Sequence, residues 1–374
     1  MSKLEELIEQ YCPDGVEWKM LGEVCDIHKG VQFNKTDMKE VGTYPVINGG
    51  INPSGYAEVF NEEKNTITIS QGGASAGYVN FLRNKFWLGA HCYAVIPYDT
   101  VLNKYLYHFI KMNEITLQQC QYGAGIPALA KSTISSLEIP VPPLPVQEEI
   151  VRILDNFTEL QAELQAELQK RKQQYNYYLD NLLSFNRGGQ TEVKWMKMSD
   201  IAKLSRGHVI SKDYLQNNAG IYPVYSSQTA NNGELGQINT YDYNGNYLTW
   251  TTDGAYAGTI FKRKGCFSIT NVCGLIALTS ELVNLDYLYY WLKITAPSYV
   301  YKGMGNPKLM SNVMESILIP IIPLSEQQRI VAILDRFDTL TNDLTAGLPA
   351  EIEKRRQQYE YYRDKLLTFK RKGA

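Results

Sequence analysis

At 374 residues, with 44% hydrophobic and 20% charged side chains, the chain has the balance of a soluble protein and the length for two hydrophobic cores rather than one. Its longest nearly unbroken apolar run, ILIPIIPL from Ile317 to Leu324, is too short for a bilayer and carries two prolines, which excludes it as a membrane helix. The formal net charge of −2 speaks against a uniformly basic nucleic-acid binder, but not against a local basic face on a near-neutral chain.

The N-terminal MSKLEELIEQYC is mixed-charge and amphipathic, with Ser2 and Glu5 spaced as a capping box and no apolar signal-peptide core, so a cytoplasmic protein is expected. Beyond it, short β-rich runs such as NTITIS and CYAVIP alternate with glycine-rich turns, which predicts a mixed, mostly β globular part, with a helix over Asn103–Met112. PVPPLP stops that part, because proline ends strands and suits helix starts. A long helix follows, with an apolar stripe through Ile150, Leu154, Phe157, Leu160, Leu164, Leu168, Tyr175, Tyr178 and Phe185 at steps of three, four or their sum.

The same sequence of elements then recurs. WKMLGEVCDIHKG is answered by WMKMSDIAKLSRG, SQGGASAGYV by TTDGAYAGTI, and YLYHFIK by YLYYWLK, which predicts a second short helix over Leu285–Ile294. IPVPPLPVQEEIVRILDNF is answered by IPIIPLSEQQRIVAILDRF, and KRKQQYNYYLDNLLSF by KRRQQYEYYRDKLLTF. The second stripe runs through Leu340, Leu344, Ile352, Tyr359 and Tyr362, although Gly347 and Pro349 are poor helix residues and mark a place where it kinks or breaks. Two long helices of similar stripe can bury each other as a coiled-coil pair; the alternative is that each packs only on its own globular part. The expected layout is an N-terminal helix and lead-in at 1–16, a globular domain at 17–145, a spacer helix at 146–187, a second globular domain at 188–324 and a second spacer helix at 325–374.

Signs of catalysis are lacking. PDGVEWK superficially offers the acids and lysine of a metal-dependent nuclease, but too tightly spaced to sit on separate strands. GGASAG and GAGIP lack the strand, glycine loop and helix order of a nucleotide pocket, and no Asn-Pro-Pro-aromatic tetrapeptide occurs. His28, His91, His108 and His208 have no partners at motif spacing, and the six cysteines form no CxxC pair, so they read as reduced and structural. No catalytic or metal-ligating residue is assigned. The 27 tyrosines, many beside Asn, Ser, Thr and Gly, suit recognition by uncharged hydrogen bonding.

Two globular units, each closing on IPxPPLxxQ or its near variant with IVxILD and each followed by a helix ending KRxQQYxYYxDxLLxF, resemble the specificity subunit of type I restriction-modification systems; PDGVEWKMLGEV resembles the opening of its target-recognition domains. The resemblance spans essentially the whole chain. It implies an α+β fold: two mostly β target-recognition domains related by pseudo-twofold symmetry and joined by two long antiparallel coiled-coil helices. It further implies that each domain reads one half of a bipartite double-stranded DNA target, and that the helices set the gap and dock two methyltransferase subunits, with restriction and motor subunits joining through them. The chain would be non-catalytic and hold no cofactor, with S-adenosylmethionine, ATP and Mg²⁺ on partner subunits. The rival reading is a tandem-domain coiled-coil scaffold for protein partners.

DNA contacts are expected from loops on the β scaffold. Polar residues at matching turns are Lys29, Gln32 and Lys35 with Arg206, His208 and Lys212; Asn48 and Asn52 with Ser227 and Asn231; and Ser70, Gln71 and Ser75 with Thr251, Thr252 and Tyr256. Tyr122 and Lys131, and Lys302, Asn306 and Lys308, complete the set. Lysine and arginine would hold phosphates, whereas Gln, Asn and Arg can pair with base edges. Leu160, Leu164, Leu168, Tyr175 and Tyr178, with Leu340, Leu344, Ile352, Tyr359 and Tyr362, are the expected spacer and subunit-docking residues.

Overall fold

A computed structural model describes residues 2–123, 125, 127–185, 193–303 and 305–373; the expected boundary between 187 and 188 lies outside the described residues. The chain divides into two compact units, residues 1–166 with 351–374, and residues 167–350. Unit 1 opens on the helix Lys3–Tyr11, where Glu5 N donates to Ser2 Oγ at 3.3 Å and Ser2 N to Glu5 Oε2 at 2.7 Å, closing the expected capping box.

Four antiparallel strands follow in the order Cys25–Lys29, Cys92–Pro97, Thr66–Ser70, Val79–Leu82. A smaller sheet of Gly55–Ala57, Tyr44–Ile47 and Trp87–Leu88 lies outside it, the last two paired in parallel through Val46 and Trp87. Unit 2 repeats the order as Ala202–Arg206, Cys273–Leu278, Tyr243–Thr251, Ile260–Ile269. Here the last strand is ten residues long and runs on to pair in parallel with Ala219–Tyr225, so both layers fuse into one six-stranded sheet that ends on Glu234–Ile238. At its centre Trp250 is fully buried against Gly274, where a Cβ would lie 2.3 Å from the indole, so only glycine fits the cross-strand position.

The two predicted short helices are present as Asn103–Met112 and Leu285–Thr295. Each buries a tyrosine whose hydroxyl donates to the proline carbonyl of the closing strand, Tyr105 to Pro140 at 2.9 Å and Tyr287 to Pro320 at 3.1 Å. The motif glutamine that follows is fully buried and triply bonded in both units. Gln147 accepts from Leu102 N at 2.8 Å and donates to the carbonyls of Thr100 at 3.0 Å and Pro142 at 2.7 Å. Gln327 accepts from Asn284 N at 2.8 Å and donates to Leu282 at 2.9 Å and Ile322 at 2.8 Å. The amide therefore ties the root of each long helix to the start of the short helix and to the closing strand.

The central helix, Leu144–Leu182, runs uninterrupted for 39 residues. Its first part buries Ile150 and Leu154 in the core of unit 1, where Tyr359 and Leu367 of the last helix join them. Its last part buries Tyr175, Leu179 and Leu183 in the core of unit 2, beside Ile330 and Leu334. Neither long helix packs only on its own globular part. Partner contacts run in reverse order along the chain, Phe157 on Tyr362 in unit 1 and Tyr178 on Phe337 in unit 2, the order of an antiparallel pairing.

The second spacer breaks beside Gly347 and Pro349, as their presence leads one to expect. It is two helices, Leu324–Asn342 and Leu348–Leu366, but Leu344 between them is 80% exposed, which corrects its expected place in a buried stripe. Asp343 leaves the helical region at ψ 118°, and its carboxylate accepts from Thr345 N at 2.7 Å and Ala346 N at 3.2 Å, a local turn that competes with the helix. The same segment holds a surplus: 18 positions separate Phe157 from Tyr175, whereas 22 separate Phe337 from Tyr359. Among the described residues no helix is long and apolar enough to cross a membrane, and all six cysteines are free thiols.

Replacing Gln147 by Ala strands a buried N–H and two carbonyls and is expected to destabilise unit 1 by about 2–4 kcal/mol in urea unfolding, with Gln327→Ala doing the same in unit 2. A loss below about 0.5 kcal/mol, as for an ordinary surface change, would show that the amide does not hold the joint.

Candidate nucleic-acid interface

In unit 1 the expected loops meet at one end of the strands of the four-stranded sheet, joined by main-chain bonds. Gly30 N donates to Cys92 O at 3.1 Å and Val31 N to Leu88 O at 3.0 Å; Gly89 N donates to Ile47 O, and Gln71 N to His91 O, both at 2.8 Å. Leu129 N reaches Gln71 O at 2.7 Å and Gly73 N reaches Pro127 O at 2.9 Å, while Tyr122 and Ala128 exchange two bonds of 2.9 Å. Lys29, Gln32, Asn52, Tyr122 and Lys131 stand exposed on or beside this cluster, and Ser75 is half-buried in the turn Gly72–Gly77. Asn48 is tied down, its Oδ1 accepting from His91 N at 3.2 Å. Lys35 lies further out, in a 3₁₀ turn beside the small outer sheet.

Unit 2 is built the same way. Asn271 N donates to His208 O at 3.0 Å, Thr270 N to Tyr225 O at 2.9 Å, Leu309 N to Thr252 O at 2.9 Å and Gly254 N to Pro307 O at 3.0 Å. Arg206 reaches Asn271 O at 2.9 Å and lies 3.7 Å from Met310 Sδ. His208, Asn231, Tyr256, Lys302, Asn306 and Lys308 are exposed around this cluster. Lys212 stands apart, opening a helix capped by Ser211 whose Leu215 packs on the outer strands.

Three expected contact residues face inward. Ser70, Thr251 and Thr252 are buried. Thr251 Oγ1 accepts from Thr259 N at 3.0 Å and Thr252 Oγ1 donates to Val272 O at 2.7 Å, so these hydroxyls brace the turn Gly254–Gly258 and its neighbour. Ser227 likewise donates to Val272 O. In exchange the structure adds His91, Asn232 and Asn271, all exposed beside the same clusters. Their sequence signal was weak, because a polar residue in a turn gains meaning only from the loops beside it.

The base of the first loop carries an ionic clamp. His28 lies 2.8 Å from Asp26 Oδ2 through Nδ1 and 2.7 Å from Glu62 Oε1 through Nε2. Burial favours the neutral ring, but the bonds to Glu62 and Asp26 together outweigh it and raise the histidine pKa.

A second surface recurs on the helices and decodes the QQYxYY motif. The first tyrosine is buried: Tyr359 OH lies 2.8 Å from His108 Nδ1, and Tyr175 OH 3.2 Å from Asp338 with Lys293 Nζ at 2.9 Å. The second, Tyr177 or Tyr361, is exposed. The third stacks on the phenylalanine of the ILDxF segment, Tyr362 on Phe157 at 5.3 Å and Tyr178 on Phe337 at 5.1 Å. In unit 2 that pair, with Ile333, Arg336 and Leu340, lines an open apolar groove of about 390 Å³. Leu160 is 43% exposed beside the matching pair in unit 1, whereas Leu164, Leu168 and Ile352 are half-buried.

The model of the type I restriction modification DNA specificity domain matches twice, at residues 13–171 and 190–354. A putative type I restriction enzyme specificity subunit of Haemophilus influenzae is 32% identical over 390 aligned positions, covering 98% of this chain and 98% of its own. A putative type I specificity subunit of Mycoplasma pneumoniae is 42% identical, covering 61% of this chain and 92% of its own. The fold is similar to the crystal structure of a type I restriction-modification system S subunit from M. genitalium, with TM-score 0.68, 19% identity and coverage of 94% and 96% of the two chains.

Because the folded pKa of His28 is raised, its clamp stabilises unit 1 fully below the ordinary histidine value, and this contribution is lost as pH rises through the raised pKa. The stability difference between wild type and His28→Gln should therefore be largest near about pH 6 and shrink towards about pH 9 in urea unfolding. A difference that stays constant across that range would mean the ring is not charged in the clamp.

Proposed function

The chain belongs to the family of type I restriction-modification DNA specificity subunits, and from that premise we propose that each of its units reads one half of a bipartite double-stranded DNA target. The observation that carries this reading is one scaffold with two sets of loop residues. The strand order, the loop-to-loop main-chain bonds and the buried tyrosine and glutamine recur, while Lys29 gives way to Arg206 and Ser75 to Tyr256. A constant frame with variable polar tips is what two independent readings of groove edges require. Exposed Lys29, Lys131, Lys302 and Lys308 supply phosphate contacts despite the net charge of −2.

The repeated aromatic pairs, Phe157 with Tyr362 and Phe337 with Tyr178, are the docking surfaces for two copies of one methyltransferase subunit, since equal surfaces select equal partners. The restriction and motor subunits attach through that core. In this reading the chain is cytoplasmic and non-catalytic, and S-adenosylmethionine, ATP and Mg²⁺ are bound by the partner subunits. The central helix, unbroken through TELQAELQAELQ at residues 158–169, is the ruler between half-sites.

Exchanging residues from Trp18 to Pro140 for those of a relative should change one half of the methylated sequence and leave the other intact. A swap that altered both halves would show that the units do not read separately.

One further AELQ after Gln169 adds about 6 Å and about 40° of net rotation to the helix, close to the 34–36° of one base pair. The gap between half-sites should lengthen by about one base pair, with both half-sites kept. An unchanged gap in an active complex would remove the helix from the role of ruler.

A further inference from the structure

Behind the second recognition loop of unit 2 lies a buried cation that the reading so far does not use. Arg263 is 3% exposed on the strand Ile260–Ile269. Its Nε donates to Thr249 Oγ1 at 3.0 Å and its Nη1 to Asn232 O at 2.9 Å, while Nη2 has no acceptor among the described residues. The guanidinium carbon sits 3.5 Å from the centre of the Tyr225 ring and 4.5 Å from that of Phe261, so two aromatic rings replace part of the lost hydration. Among the described residues no carboxylate forms an ion pair with it.

The loop it holds is strained. Asn231 and Asn232 adopt left-handed conformations at φ 50° and 53°, and Gly233 follows at φ 79°. Consecutive left-handed residues are unfavourable for any side chain and least so for asparagine, which accounts for the ANNG sequence. The conformation is closed at its base by Ser226 N donating to Gly233 O at 3.0 Å, and by Gln228 donating to Glu234 O. Arg263 clamps its crest: a Cβ on Gly233 would lie 2.9 Å from Nη2, so the loop is folded directly over the guanidinium. Both asparagine side chains remain exposed.

Unit 1 lacks this device. The register Tyr247↔Arg263 in unit 2 corresponds to Thr66↔Leu82 in unit 1, so a leucine stands where the arginine would be. A residue needed by the shared scaffold would be expected in both units; one that serves a particular loop need not be.

We infer that Arg263 is a positioning residue that holds Asn231 and Asn232 as a paired base-reading tip, and that this tip sets the preference of unit 2 for an adenine-bearing position in its half-site. The inference rests on the reading of each unit as a half-site reader. A carboxamide can bond N6 and N7 of adenine together in the major groove, but only if its backbone is held still; the clamp supplies that rigidity.

The test is selection from a randomised duplex library with the full chain co-expressed with its methyltransferase partner, comparing wild type with Arg263→Gln, Asn231→Ala and Asn232→Ala. Wild type should enrich a two-part motif. Each variant should lose base preference at one or two positions of one half only, with affinity for the wild-type sequence falling roughly five- to a hundredfold and the other half unchanged. Asn231→Gly and Asn232→Gly, which remove the carboxamide and accept the left-handed backbone without strain, accompany the alanine variants and decide the matter even if Arg263→Gln unfolds unit 2. If wild type enriches no two-part motif, the functional reading falls and this inference with it. If wild type enriches one and the asparagine variants keep both halves intact, only this inference falls. An affinity loss with unaltered base preference would likewise reduce Arg263 to a structural role.

Discussion

One buried carboxamide in each unit governs how the rest is arranged. Gln147 and Gln327 sit where water cannot reach, so their polar atoms must be satisfied by main-chain groups, and the groups they take belong to two segments outside the helix. That requirement locks the first turn of each long helix to its closing strand and its short helix. A helix of 39 residues is about 58 Å long, so a small error at its root becomes a large displacement at its tip. A rigid joint is therefore a precondition for any helix that measures distance along DNA.

The division between frame and tip follows from the same economy of polar groups. The loops at the strand ends of each unit are joined to one another by main-chain hydrogen bonds, which leaves side chains such as Gln32, Asn52 and Asn306 free to vary without disturbing the fold. Where a particular tip needs a conformation the frame does not supply, extra support has to come from beneath. Arg263 under Asn232 is such a support, and Leu82 at the same register in unit 1 shows that the frame folds without it.

Much of this architecture was legible in the sequence because it is carried by repetition and period. The two copies, the short helices, the capping box at Ser2 and the apolar stripe around Ile150 and Leu154 all rest on local spacing, and they appear where expected. The interruption at Asp343–Gly347 was only half legible. Gly347 and Pro349 announced weak helix, but the competing turn at the Asp343 carboxylate depends on geometry that spacing does not encode. The inward turn of Ser70, Thr251 and Thr252 was hidden for another reason: a hydroxyl at the end of a strand can face solvent or brace the neighbouring loop, and only the fold decides which. Arg263 left no signal at all, since a lone arginine in a strand ordinarily points to solvent.

The claim on which everything else stands is that two units of one frame read two separate stretches of DNA at a fixed distance. Mapping every methylated position in DNA modified by this chain with its methyltransferase partner tests it most directly. The account predicts a single motif made of two specified blocks, different from each other and separated by an unspecified gap of constant length. One unbroken block, or two blocks at varying distances, would contradict it.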